Sequence, residues 1–161
     1  MMRTFLVPGL LWFSAIGCGL MAGLYYAFST FIMTALGRIA PASGMAAMHA
    51  INVDILRSSF LPLFLATTIA AGLLAVVGAL RWGEPGALAM VAGGTIYLLG
   101  MFGVTMFCNV PLNDALVAAG DGTGPVEIWA RYLKEWTMWN HVRTLSSIAA
   151  FALYIAALVQ R

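Results

Sequence analysis

Four apolar runs, each about long enough to cross a bilayer, dominate this chain: residues 6–36, 60–80, 87–108 and 142–159. Arg143 is the single charged side chain in all four. A helix needs about 20 mostly apolar residues to cross the hydrocarbon core. Inside that core no water pairs with backbone amides, so a spanning segment of this kind must satisfy them within itself, as a helix does. The expected fold is therefore all-α, a four-transmembrane-helix bundle forming one integral membrane domain over residues 1–161. Composition agrees, because charged residues make up 9% of the chain and hydrophobic ones 62%, where a soluble domain carries about 25% charge. The net charge of +2 comes without a basic cluster, which argues against nucleic acid as a partner. The bilayer itself is the first expected partner.

Several details follow from the same runs. The first is longer than a bilayer demands, so it is expected to tilt or to extend beyond the membrane. Met1-Met2-Arg3 before an apolar stretch resembles a signal peptide, but the stretch continues to about Met33 and reads as a retained helix. Gly83, Pro85 and Gly86 predict a tight turn between the second and third helices. Gly19, Gly23 and Ala27 recur at every fourth position, a spacing that permits close helix approach and hence a homo-oligomer through the Gly19/Gly23 face. Gly93, Gly94, Gly100 and Gly103 predict packing of the third helix. Cys18 and Cys108 form no CxxC pair and read as small buried side chains.

Polar residues are not spread evenly. With four crossings, segments 37–59 and 109–141 emerge on one side, carrying both histidines, three of the five tryptophans and most of the acids. The other side receives the two ends and the Arg81–Pro85 turn. Basic residues are Arg3, Arg81 and Arg161 on the short side and Arg38, Arg57, Arg131, Lys134 and Arg143 on the other, so the positive-inside rule is ambiguous. The expected location is a bacterial inner membrane, with both termini placed in the cytoplasm because the short side holds no functional candidates.

Three constellations at the polar end are able to carry chemistry. In Asn109-Val110-Pro111-Leu112-Asn113-Asp114, Pro111 is expected to end the third helix, leaving Asn109 and Asn113 to cap it or to face a pocket. Trp129, Leu133, Trp136, Asn140, Arg143 and Ser147 recur in steps of three and four and share one helical stripe. Trp129, Trp136 and Trp139 fit an interfacial belt, whereas an intramembrane Arg143 must find a partner, with Asp54, Asp114 and Glu135 as candidates. His49 and Asn52, three residues apart, share a face near Asp54 and Arg57. No HExxH, Glu-x-x-His or cysteine ligand set exists, so no metal or other cofactor is expected. A third reading has His49 and His141 clamping a haem or a metal between them.

Taken together, Asn109-Val110-Pro111-Leu112-Asn113, Trp129, Trp136-x-x-Trp139-Asn140-His141-Val142-Arg143-Thr144, Gly19-x-x-Ala22-Gly23 and Met48-His49-Ala50-Ile51-Asn52 resemble the anthrone oxygenase-like family of small membrane proteins. That resemblance implies four transmembrane helices and oxidation by O2 of an anthrone methylene to a quinone. It makes the chain a membrane oxidoreductase for a lipophilic aromatic, anthrone- or quinol-like substrate, independent of a cofactor. In that chemistry His49 or His141 would serve as base. Asn52, Asn109, Asn113, Asn140 and Arg143 would meet the developing negative charge, and Trp129, Trp136 and Trp139 would hold the ring. The alternative is a non-enzymatic binding or accessory protein that holds a quinone, a lipid or a partner helix in the same pocket.

Overall fold

In the computed structural model, residues 2–120 and 126–160 are described, with side chains from Leu6 onward. Each apolar run is a helix, as the need to pair amides in lipid requires. Helix α1 runs over Met2–Ala27 and continues through a π-helical turn, Phe28–Ile32, into Met33–Leu36. Helix α2, Pro41–Arg57, begins with its proline in the first turn, where a missing N–H costs nothing. Helix α3 is Phe60–Leu80, and α4 begins at Ala87 after a turn in which Gly83 and Gly86 take positive φ. Gly86 N donates to Gln160 Oε1 at 3.1 Å, tying this turn to the far end of the chain. Helix α5 is Val126–Val159. Four helices are long and apolar enough to cross a membrane: Leu6–Leu36, Phe60–Leu80, Ala87–Ala118 and Val126–Val159. The molecule is thus a four-helix integral membrane bundle with a short fifth helix, α2, at its polar end. Arg161 and the side chain of Arg3 lie outside the described residues.

Two helices are longer than their apolar runs. The third crossing does not break at Pro111 but continues to Ala118. Two π-helical stretches, Tyr97–Gly103 and Thr105–Asn109, precede the proline, and Pro111 occupies the first turn of the α-helical piece Val110–Ala118. The wider π turn changes the hydrogen-bond register just where a proline ring would otherwise clash with the preceding turn. Nor does α5 begin at residue 142; it begins at Val126 and carries the tryptophan stripe inside one continuous helix. At 1.5 Å per residue α4 and α5 are each roughly 50 Å long, about 20 Å more than the hydrocarbon core. Their surplus ends, with α2, build a cap on one side of the membrane.

The closest backbone-to-backbone packing lies away from this cap. A Cβ at Gly94 would sit 2.5 Å from the Ala71 carbonyl, and one at Gly78 would sit 2.7 Å from the Ala87 carbonyl, so α3 and α4 touch backbone to backbone. Gly93 lies against the Tyr154 ring. Gly19, by contrast, meets Phe151 at an ordinary 3.6 Å, and nothing lies within 4 Å of a Cβ at Gly23. The fourfold spacing on α1 therefore does not mark a tight contact within the chain; Gly17, pressed on Thr67, does so instead.

Candidate functional site

The inner face of α5 sets out the site. Trp129, Tyr132, Trp136, Asn140, Arg143 and Ser147, in steps of three and four, are all buried. Arg143 retains only 5% of its exposure. Its guanidinium lies between two rings, 4.3 Å from the centroid of Tyr25 and 4.9 Å from that of Trp136. Nη2 donates to Asn140 Oδ1 at 2.7 Å, and buried Nε has no hydrogen-bond partner. The three acids expected to pair with it do not. Asp54 and Asp114 are exposed, and Glu135 accepts from Arg131 at 2.9 Å. Among the described residues no carboxylate is within ion-pair distance of Arg143. Aromatic faces attract a cation, but they do not neutralise it. The chain keeps a buried positive charge with an N–H to spare.

Asn140 holds that charge in place. Its Nδ2 donates to the Tyr25 carbonyl and to Ser29 Oγ, both at 2.7 Å, while its oxygen accepts from Arg143. Ser29 lies in the π turn of α1, which starts at Phe28, three residues past Tyr25. Such turns disturb the regular ladder and occur often at functional sites. Ser29 Oγ and Thr144 Oγ1, 3.1 Å apart, add a further link between α1 and α5.

A second hub is Asn113. Its Oδ1 accepts from Tyr132 Oη at 2.8 Å and from Trp136 Nε1 at 2.9 Å. With the oxygen doubly used, the rest of this amide can only donate. Asn109 is buried and donates to the Trp136 carbonyl at 3.1 Å, tying α4 to α5. Trp129, Tyr132 and Trp136 form a ladder with centroids 5.7 and 6.0 Å apart. Trp129 packs on Gly44 of α2, where a Cβ would come within 2.5 Å of the ring.

These residues border a chamber of about 540 Å³ between α1, α2, α3, α4 and α5. Arg143, Asn113, His49 and Asn52 line it together with Trp136 and Tyr25. Asn52 Nδ2 is buried and unpartnered, so it too is a donor. The remaining walls are mostly apolar and aromatic. Tyr25–Phe60, Phe60–Phe64 and Phe64–Phe102 are successive ring pairs at 6.5, 5.9 and 5.8 Å, and Phe28 lies 5.5 Å from Trp136. A flat ring system matches such walls; Arg143, Asn113 and Asn52 offer it a cation and amide donors, while the exposed Asp114 is the one carboxylate among the described lining residues.

Not every residue singled out in the sequence reaches this chamber. Asn109, Asn140 and Trp129 stand behind its lining and brace it. Trp139 lines a separate groove of about 470 Å³ with Cys108, Pro111, Tyr132 and the Arg131–Glu135 pair. His141 is exposed, about 200° around α5 from Arg143, and is not among the chamber's lining residues. Among the described residues no three His, Cys, Asp or Glu side chains gather into a metal-binding group. The ring walls from α1, α3 and α4 were not singled out from the sequence. Their one local signal is Tyr25 and Ser29, four apart inside an apolar run.

Comparison with known proteins places the chain beside a known family. A family model described as anthrone oxygenase covers residues 53–153, an interval that takes in Asn113, Trp136, Asn140 and Arg143 but stops short of Tyr25, His49 and Asn52. No curated protein and no solved structure shows significant similarity to the chain.

Proposed function

The chain belongs to the anthrone oxygenase family, and from that premise we propose that it is a membrane oxygenase for a flat, lipophilic aromatic whose C–H bond is acidified by a neighbouring carbonyl. The observation that carries this reading is Arg143, buried beside a mostly apolar chamber with no carboxylate within ion-pair distance among the described residues. A guanidinium does not escape burial by losing its proton. It is offset best by an anion, and the ionised form of such a substrate is one.

The chemistry then divides as follows. A base removes one proton from the substrate methylene, and the electron pair delocalises onto the ring oxygen as a phenolate. His49 is the histidine that lines the chamber and takes the role of base. Arg143, with donors from Asn113 and Asn52, stabilises the oxygen as charge develops on it. The carbanion gives one electron to O2, and the two radicals combine to form a C–O bond and a hydroperoxide. Loss of the second methylene hydrogen as the O–O bond breaks yields the ketone and water. Atoms balance, because one methylene and one O2 give one ketone carbonyl and one water, with O2 as the sole oxidant. Phe28, Phe64, Phe102 and Trp136 supply faces for the ring and keep water from the anion.

The test is O2 consumption by purified protein in mild detergent with emodin anthrone as substrate. Uptake that Arg143→Gln lowers by about two to three orders of magnitude, the range for losing an oxyanion donor, supports the reading. Tight binding of emodin anthrone without O2 uptake contradicts it and points to a binding or accessory role for the chamber.

A further inference from the structure

The chamber has two unlike ends. Its inner end carries Arg143, Asn113 and Asn52; its outer end is made of residues that line the cavity yet remain exposed. The apolar ones are Leu56, Leu65, Met106 and Val117, at 61, 46, 42 and 49% exposure. Leu65 lies on α3 and Met106 on α4, both within uninterrupted apolar runs. Leu65 is about 8 Å along its helix from the start of its apolar run at Phe60, and Met106 about 3 Å from the end of its own at Cys108. Their outward neighbours, Ile69 and Phe107, are 64 and 82% exposed, as lipid-facing side chains are.

Helix packing explains why an opening exists there. Near their shared turn α3 and α4 are in backbone contact at Gly78 and Gly94. That contact extends along α4 to the Tyr97–Gly103 stretch and lapses at Thr105–Asn109 and Val110–Ala118, which instead meet α5 and α2. Met106 lies on the parted stretch, and Leu65 lies beside the Phe64–Phe102 ring pair that bounds it.

We propose that this gap is a lateral window, through which a neutral, lipophilic weak acid enters the chamber from the hydrocarbon layer with its acidic oxygen leading towards Arg143. The inference rests on the proposed function for the identity of the ligand, but not for the window itself. Charge supports the direction of entry. Asp114 is exposed and lines the watery rim of the chamber, so an anion arriving from solution meets a carboxylate first. A neutral acid from the lipid meets Leu65 and Met106, and ionises only where the guanidinium and the amides await it. An alkyl substituent opposite the acidic oxygen would trail through the window into the lipid.

Two measurements test the window, the first without any ligand. A nitroxide attached at Met106→Cys or Leu65→Cys, in a Cys108→Ser background in liposomes, should collide readily with O2 and poorly with a water-soluble nickel chelate. Ready access of the chelate to both positions overturns the proposal. The second follows binding of 1,8-dihydroxyanthraquinone, a coloured phenolic tricycle lacking the reactive methylene, by stopped flow. Leu65→Trp and Met106→Trp should slow association and dissociation together by about tenfold with Kd nearly unchanged, the signature of a narrowed path as opposed to a lost contact. Unchanged rates in both variants overturn the window. Arg143→Gln serves as the separate control on the ligand: if it leaves Kd unaltered, or if the probe fails to bind the parent protein, the ligand assignment fails and the nitroxide result alone decides the window.

Discussion

A guanidinium keeps its proton over the whole pH range in which a bilayer survives, so Arg143 cannot adapt to burial as a lysine or a carboxylate would. Its surroundings are two aromatic faces and one amide oxygen, and that set leaves an electrostatic cost standing. Replacing even a buried ion pair with apolar side chains of similar volume is often neutral or stabilising by about 1–4 kcal/mol, and an unpaired buried charge has no Coulombic gain to lose. Arg143→Met is therefore expected to raise the thermal midpoint in detergent while eliminating O2 uptake, a stability–function trade measured on one preparation. Arg143→Lys keeps the charge but loses the planar fit between Tyr25 and Trp136, and it should retain a small part of the activity. Asn113 behaves oppositely, because its oxygen satisfies Tyr132 Oη and Trp136 Nε1. Asn113→Leu strands both donors, at roughly 1–3 kcal/mol for each, and should lower both the midpoint and the activity.

At the scale of elements, the glycines against backbone and the π-helical turns decide the architecture. Gly44→Ala pushes a methyl towards the Trp129 ring and the Leu36 carbonyl, so α2 should shift and the protein should lose about 1–3 kcal/mol, the usual cost of overpacking. Gly94→Ala presses on the Ala71 carbonyl, which has no rotamer to yield, and its effect on the thermal midpoint should be the larger of the two. The spans were legible in the sequence because hydropathy and length settle them, and so was the inner stripe of α5, because steps of three and four in a helix leave few choices. The course of the chain through Pro111 was not. A proline normally ends a helix, and a change of hydrogen-bond register from α to π leaves no sequence mark beside it. The glycine spacing on α1 marks no tight contact within the chain and leaves Gly23 exposed at the surface. Fourfold spacing shows that helices are able to approach, whereas contact depends on which face the bundle turns inward, and here Gly17 faces Thr67 while Gly23 faces open space.

For the molecule as a whole, the division of labour between its two ends follows from the same physics. Where α3, α4 and α5 touch through glycines, the core is dense; where α3 and α4 part and π turns widen α1 and α4, a chamber of about 540 Å³ opens. The gathering of Asn113, Trp136 and Arg143 at one end was foreseeable from the number of crossings alone. The chamber's ring-lined walls were not, since Phe28, Phe60, Phe64 and Phe102 look like any other apolar residues of a spanning helix. The central claim is that this buried, unbalanced cation ionises an aromatic acid inside the membrane. It is tested most directly by titrating bound emodin anthrone spectrophotometrically without O2, in the parent protein and in Arg143→Met. The account predicts that bound substrate ionises at least about one pH unit below its value in empty detergent micelles, equivalent to about 1.4 kcal/mol, and that Arg143→Met abolishes the shift. The same ionisation in protein and micelle, or a shift that survives in Arg143→Met, would contradict it.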